Sequence, residues 1–284
     1  MKLLESRRCY QALNPLHSLI YFAPEAEQEF TSVGLRSGRM SYFAGRAAAM
    51  GAVGAGTVTA VFFNFSPGLV AHHIPLAWEL ATPQAVLEAR LRAVDRVLRR
   101  LLGEEVLTDP EVAEAARLAA EAASACGAAG RPLYAAHADL PVPEQPHLAL
   151  WHALTLLREH RGDGHIAALT AAELDGLDAL VTHTASGKGF TAEFARASRG
   201  WSQQEWDACV ERLQARGLLD ADGSPTPSGQ DLRKQLEILT DTLGQAPYQH
   251  LGADGTARLT EIGNRLSRTA LLNGAFPSGV FATP

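Results

Sequence analysis

Three cysteines in 284 residues, Cys9, Cys126 and Cys209, are too few and too widely spaced for a disulfide framework or a zinc-finger pattern, which suits a reducing compartment. Lysine is scarcer than composition alone would suggest, with 3 residues against 22 arginines, a bias that points with the abundant alanine to a GC-rich genome. Positive charge is short as well. With 25 basic and 31 acidic residues the formal charge is −6, so any DNA contact would need a local basic patch. The opening MKLLESRRCY has no apolar stretch of the signal-peptide kind, and the expectation is a cytoplasmic protein. From Ala47 to Trp78 there is no Asp, Glu, Lys or Arg, a length sufficient for a bilayer. Gly51, Gly54, Gly56, Asn64, Ser66, Pro67, His72 and His73 interrupt it, however, and Pro67 would break a spanning helix. A buried helix is expected there, and no membrane partner. Catalytic signatures are missing too: no Gly-Lys-Ser/Thr follows the GAVGAG run, and no Gly-x-Ser-x-Gly elbow occurs.

What is present is a long-period repeat. Ala81-Thr82-Pro83-Gln84 opens a helical pattern that stops at Gly103; Pro225-Thr226-Pro227-Ser228 opens one that stops at Gly244, an offset of about 141 to 144 residues. Tyr42 to Gly51 falls where Glu193 to Ser202 falls in the second copy, and His17 with Gly34-Leu35 matches His160 with Gly176-Leu177. The starts at Thr108-Asp109 and Ala253-Asp254 each open a final helix. Between the copies, Gly127 to Pro146 has the composition of a linker. The chain therefore divides into residues 1–140 and 146–284. Neither half is basic, since residues 1–145 carry 13 basic and 15 acidic side chains and the remainder 12 and 16.

Local signals in the second half define a helix-turn-helix. An amphipathic helix from Leu148 ends near His160 at Gly162-Asp163-Gly164, and a second runs through AALTAAELDGLDALV. Thr191 caps a short helix, TAEFARAS, before a turn at Gly200; Ser202 with Glu205 forms a capping box for a longer helix that stops at Gly217. Leu218 to Thr226 contains an Asp-Gly turn between two short extended stretches, which reads as a small wing. In ARGLLDADGSPTPSGQDLRKQLE, Arg216-Gly217-Leu218, the wing and Thr226-x-x-Gly229 resemble the multiple-antibiotic-resistance regulator (MarR) type of winged helix, over about residues 190 to 243. The whole chain is also similar to an actinobacterial family of helix-turn-helix proteins, through segments such as YFAPEA, GRAAAMGAV, FFNFSP, LREHRGDGH and RGLLDADG. The resemblance implies a mostly α fold in which a tandem duplication of a winged-helix domain forms a pseudo-dimer, as a single chain or a homodimer.

The equipment for reading DNA is thin. The second copy's recognition helix, Trp201 to Gly217, carries Glu205, Asp207 and Glu211 against Arg212 and Arg216, and Gly217 to Leu232 has Asp220, Asp222 and Asp231 with no Lys or Arg. The first copy's counterpart, about Gly56 to Val70, has no charge at all. Arg196, Arg199, Arg212 and Arg216, with Gln203 and Gln204, form the opposing case for a DNA-binding regulator. On the first copy's long helix, Arg92, Arg96, Arg99 and Arg100 line a stripe interspersed with Glu88 and Asp95, read as a solvated face.

Two constellations could carry chemistry. His160, Asp163 and His165 could act as acid, base or metal ligands, and with His17 from the equivalent place in the first copy they could hold a transition metal or haem. The competing reading is structural, with Asp163 capping a helix and His160 protonated at a helix carbonyl end. His72-His73 could supply an axial ligand, although an adjacent pair is commonly a loop feature. The second constellation, Tyr21, Tyr42, Arg46, Phe63, Asn64 and Trp201, mixes a few polar groups with an aromatic wall, as small-molecule pockets do and as satisfied cores also do. The leading functional reading is a winged-helix scaffold that binds an apolar or aromatic small molecule or cofactor. A MarR-like regulator and a metal- or haem-dependent enzyme are the alternatives.

Overall fold

The computed structural model describes residues 2–277. The helices in chain order are α1 (Leu3–Ser18), α2 (Pro24–Ser32), α3 (Arg39–Ala47), α4 (Ala55–Phe62), α5 (Pro67–Leu80), α6 (Pro83–Leu102), α7 (Glu104–Leu107) and α8 (Pro110–Ala123). They continue as α9 (Pro132–Ala138), α10 (Pro146–Ala171), α11 (Gly176–Ala185), α12 (Ala192–Arg199), α13 (Gln203–Ala215), α14 (Pro227–Leu243) and α15 (Ala246–Leu272). Among the described residues no strand forms, and none of the helices is long and apolar enough to cross a membrane. The chain folds into two compact units, each drawing on both halves of the sequence. The first is built from residues up to Val53, Leu76–Gly164 and Asp241–Phe276, the second from Gly54–Pro75 and His165–Thr240.

In the first unit, α6 shows how local chemistry sets an element. The Thr82 hydroxyl accepts from the Ala85 N–H at 3.2 Å, Pro83 fills the first turn, and Gly103, at φ 82°, ends the helix. Its stripe Val86, Ala89, Ala93, Val94, Val97 and Leu101 is wholly buried. The opposite face carries the arginine stripe, and α2 consumes most of it: Arg92 and Arg96 bind Glu29, and Arg100 binds Glu25. Arg99 pairs with Asp95 and Glu104. The first and last long helices, α1 and α15, pack closely, with the Ser267 hydroxyl donating to the Ala12 carbonyl at 2.7 Å and Gly263 leaving room for Leu13. Gly252 leaves helical geometry inside α15 (φ 77°, ψ 174°), so its main segment starts at Ala253, as the acidic start there implied.

Several expected boundaries move. The linker between the halves contains α9, whose Leu133, Tyr134 and His137 are buried. Gly162-Asp163-Gly164 does not end a helix; α10 runs through it. The helix expected across residues 167 to 181 is broken at Glu173 (φ 55°), and Asp175 caps α11 by accepting from the Leu177 and Asp178 N–H groups. The uncharged helix expected from about Gly56 to Val70 is two helices separated by Phe63, a bulky residue at φ 55°, with a tight Asn64 N–H to Phe62 carbonyl bond of 2.7 Å. His72 and His73 lie inside α5, not in a loop, with ring centroids 4.8 Å apart.

The second unit contains the helix-turn-helix. Thr191 caps α12 through the Phe194 N–H, Gly200 closes it in the left-handed region at φ 76°, and Ser202 and Glu205 form the capping box of α13. Thr226 opens α14 by accepting from the Gly229 N–H at 3.1 Å. Where a wing was expected, the Asp220–Ser224 turn is present, but the flanking residues make one isolated bridge, Leu219 to Pro225, and no strand pair. Gly229 lets α14 approach that bridge, because a Cβ there would be driven into the Leu218 carbonyl oxygen. Replacing Gly229 with Ala is therefore expected to destabilise the protein by about 1–3 kcal/mol. Gly56, inside α4 with open space around it, should respond oppositely, with Gly56→Ala stabilising by up to about 1 kcal/mol. Urea unfolding of the two variants checks both signs.

Candidate functional site

Tyr21, Tyr42 and Arg46 come together in the first unit. α3 places Tyr42 and Arg46 one turn apart on the same face, and Tyr21 follows α1 in a short 3₁₀ turn, its ring centroid 5.3 Å from that of Tyr42. With Ile20, Phe30 and Arg90 they line a cavity of about 70 Å³ that opens to solvent. Gly45 is required for this wall, since a Cβ there would meet the Phe30 ring at 2.5 Å.

The base of the site is an ion pair. Arg46 grips Glu159 of α10 with two bonds, Nη2 to Oε2 at 2.9 Å and Nε to Oε1 at 3.2 Å, and Arg158 adds a third at 2.5 Å. Glu159 is 0% and Arg46 7% exposed. Burial opposes the charge on Glu159, yet Arg158 and Arg46 hold its carboxyl well below the usual range. Burial likewise opposes Arg46, and Glu159 outweighs it, holding the guanidinium charged.

Under Tyr21 lies His17, stacked on Trp151 with ring planes 11° apart. The Thr155 hydroxyl spends its proton on the Trp151 carbonyl at 2.9 Å, so toward His17 Nδ1, 3.1 Å away, it accepts. Nδ1 therefore carries the imidazole hydrogen, and Nε2 accepts from the Tyr21 hydroxyl at 3.0 Å. Burial, then Arg158, pushes the His17 pKa well down, and burial pushes that of Tyr21 up, so both are neutral. Arg90 approaches from α6, 4% exposed, its guanidinium 4.7 Å from the Trp151 ring centroid. It makes two long contacts of 3.5 Å to the His137 ring and is also met by the Tyr21 hydroxyl, while Nη2 has no hydrogen-bond partner.

The other candidate residues have different surroundings. Asp163 accepts from the Leu133 and Tyr134 N–H groups at 3.1 and 2.9 Å, capping α9 across the unit and not the helix that follows it in sequence. Arg131 binds the carbonyls of His160 and Leu243, and Gly164 keeps its path clear. His160 sits in mid-helix against Tyr134; burial and Arg131 push its pKa down to about 4, so it is neutral, contrary to the protonated helix-end role expected of it. His165, in the second unit, lies 2.8 Å from the Thr240 hydroxyl. Among the described residues no group of three or more His, Cys, Asp or Glu is arranged to hold a metal ion. Both His17 nitrogens are engaged, by Thr155 and by Tyr21. Phe63, Asn64 and Trp201 belong to the second unit, where the Trp201 indole donates to the Asn64 carbonyl at 3.0 Å.

The arginines expected to face DNA are committed inside the second unit. Arg212 binds Asp178 at 2.7 Å and Asp175 at 3.3 Å; Arg216 reaches Asp178 at 3.5 Å and the Glu173 carbonyl at 3.0 Å. Arg199 stacks over Phe65 at 4.5 Å, and Arg196 reaches the Trp201 carbonyl at 3.5 Å. Sequence reasoning missed Glu159, Arg158, Arg90, Trp151 and Thr155. A signal existed for Arg90, which falls on the apolar stripe of α6 four residues after Val86 and four before Val94.

A model of a helix-turn-helix family matches residues 6–277 of the chain. No curated protein and no solved structure matches it.

Two outcomes follow from the buried charges. Glu159→Ala leaves Arg46 and Arg158 facing each other without their carboxylate, and is expected to cost about 3–5 kcal/mol in urea unfolding. For His160 the folded pKa of about 4 lies below the unfolded value of 6.5, so the unfolded chain takes up the proton first. Stability is complete above about pH 6.5 and declines as the pH falls toward 4, with His17 and His137 shifted in the same direction. The urea midpoint should fall between pH 7 and pH 5, with a shallower slope in His160→Gln; an unchanged midpoint would refute this.

Proposed function

The chain belongs to the helix-turn-helix family, and from that premise we propose that it holds a small apolar or aromatic molecule in the cavity bounded by α2, α3 and α6 and does not work by binding DNA. The observation that carries the reading is the cavity itself, an aromatic and aliphatic wall of Ile20, Phe30, Tyr21 and Tyr42 with a few fixed polar groups. Support against a DNA role comes from α11, α13 and the turn that follows α13. Asp178 engages Arg212 and Arg216, and Asp207, Glu211 and Asp222 line an open groove between α11, α13 and the Asp220–Ser224 turn. A negative groove in that place repels phosphate.

The finer architecture is part of the same proposal: two winged-helix repeats, residues 1–140 and 146–284, fused as a pseudo-dimer of the MarR type in a single chain. The packing of α1 on α15 inside one compact unit supports it, since it joins the first helix of one repeat to the last helix of the other. A second reading, a MarR-like regulator, is favoured by the family and by Gln203 and Gln204, exposed at the start of α13 where base-reading side chains sit.

The test uses the full chain with the neutral fluorescent probe N-phenyl-1-naphthylamine. Saturable enhancement is expected, weakened at least tenfold in Ala26→Phe, which fills the cavity from α2. Random duplex DNA at low salt should give no mobility shift. Tight, salt-sensitive DNA binding would establish the second reading instead.

A further inference from the structure

Arg90 is unusual in where its charge ends. Arg46 and Arg158 share the carboxylate of Glu159, whereas Arg90 makes no ion pair among the described residues and leaves Nη2 without a hydrogen-bond partner. It lines the same cavity as Tyr21, Tyr42 and Phe30. No other group on that wall forms an ion pair with it. Glu27 stands at the half-buried rim, its carboxylate taken by the Gly38 N–H at 3.1 and 3.3 Å. The Tyr21 phenol meets Arg90 as well as His17 but is neutral, and the His137 ring, 3.5 Å away, brings no negative charge.

A guanidinium that is 4% exposed and lacks an acid is a costly thing to retain on an otherwise apolar helix stripe. A methionine at the same place would pack on Val86, Val94 and Trp151 without that cost. The imbalance is relieved by a negative group entering the cavity, where a planar carboxylate can take two parallel N–H bonds from one guanidinium. The aromatic wall meanwhile suits a flat apolar body. We infer that the cavity ligand is an anion, a small aromatic or apolar molecule bearing a carboxylate or comparable oxyanion, and that Arg90 binds its negative head. This deepens the small-molecule reading and rests on it.

The test compares phenylacetate with its neutral isostere phenylacetamide, binding to the full chain being followed by saturation-transfer NMR and titration. The acid is expected to bind at least tenfold more tightly than the amide. In Arg90→Met that preference should fall below threefold, while the unliganded variant melts no lower than the parent, because no ion pair has been broken. Arg90→Lys should keep part of the preference, since it retains the charge and loses the fork. Equal binding of acid and amide to the parent, or an acid preference untouched in Arg90→Met, would overturn the assignment. If the naphthylamine probe binds in an Ala26→Phe-sensitive way but phenylacetate does not bind, the anion assignment alone fails. If neither acid, amide nor naphthylamine binds, the cavity reading fails and the assignment falls with it.

Discussion

A carboxylate with no access to water constrains everything around it, because it must be met by cations whose own burial it has to justify. Glu159 is that group, held by two bonds from Arg46 and one from Arg158. The pair ties α3 to α10 within the first unit and sets the positive potential in which the neighbouring groups titrate. His17 and His137 lie in that field and in a dry environment, and both effects keep them neutral. The neutral His17 in turn fixes Tyr21 as a donor, which orients one wall of the cavity. Removing the ion pair would therefore alter the hydrogen-bond direction and charge of the whole site as well as its stability.

The same chemistry recurs at several other arginines of this protein. One carboxylate receives two guanidinium groups at Glu29 and at Asp178, and Asp241 receives Arg7 and Arg161. Arginine's planar fork allows such sharing and lysine's point charge does so poorly, which gives the scarcity of lysine a structural counterpart. It also explains why surfaces that look basic in sequence are not basic in effect. The stripe on α6 is answered by α2, and the arginines of α13 by Asp175 and Asp178. Arg90 departs from this pattern because no acid is supplied to it.

Glycine and aspartate at the centre of α10 show the limit of reading punctuation from sequence. Gly162-Asp163-Gly164 has the composition of a helix stop, yet the helix continues, because Asp163 spends its carboxylate on the start of α9 and Gly164 admits Arg131. Both partners lie about thirty residues away in sequence, |i−j| being 30 and 29 for the Asp163 bonds, so no local signal could have shown them.

The caps at Thr82, Thr191, Ser202 and Thr226, the stops at Gly103, Gly200 and Gly217, and the helix-turn-helix itself were legible because each depends on atoms within a few residues of one another. Tyr21, Tyr42 and Arg46 could be nominated as a cluster for a similar reason, being spread over little more than two short helices. Their true partners could not. Glu159 is 113 residues from Arg46, and Thr155 is 138 from His17. Local sequence determined those helix starts and stops that rest on a cap or a glycine within a few residues. Only the tertiary structure decided which charges are buried together and which arginines are spent, because a buried charge is settled by whatever the fold brings within a few ångströms of it, at any separation along the chain.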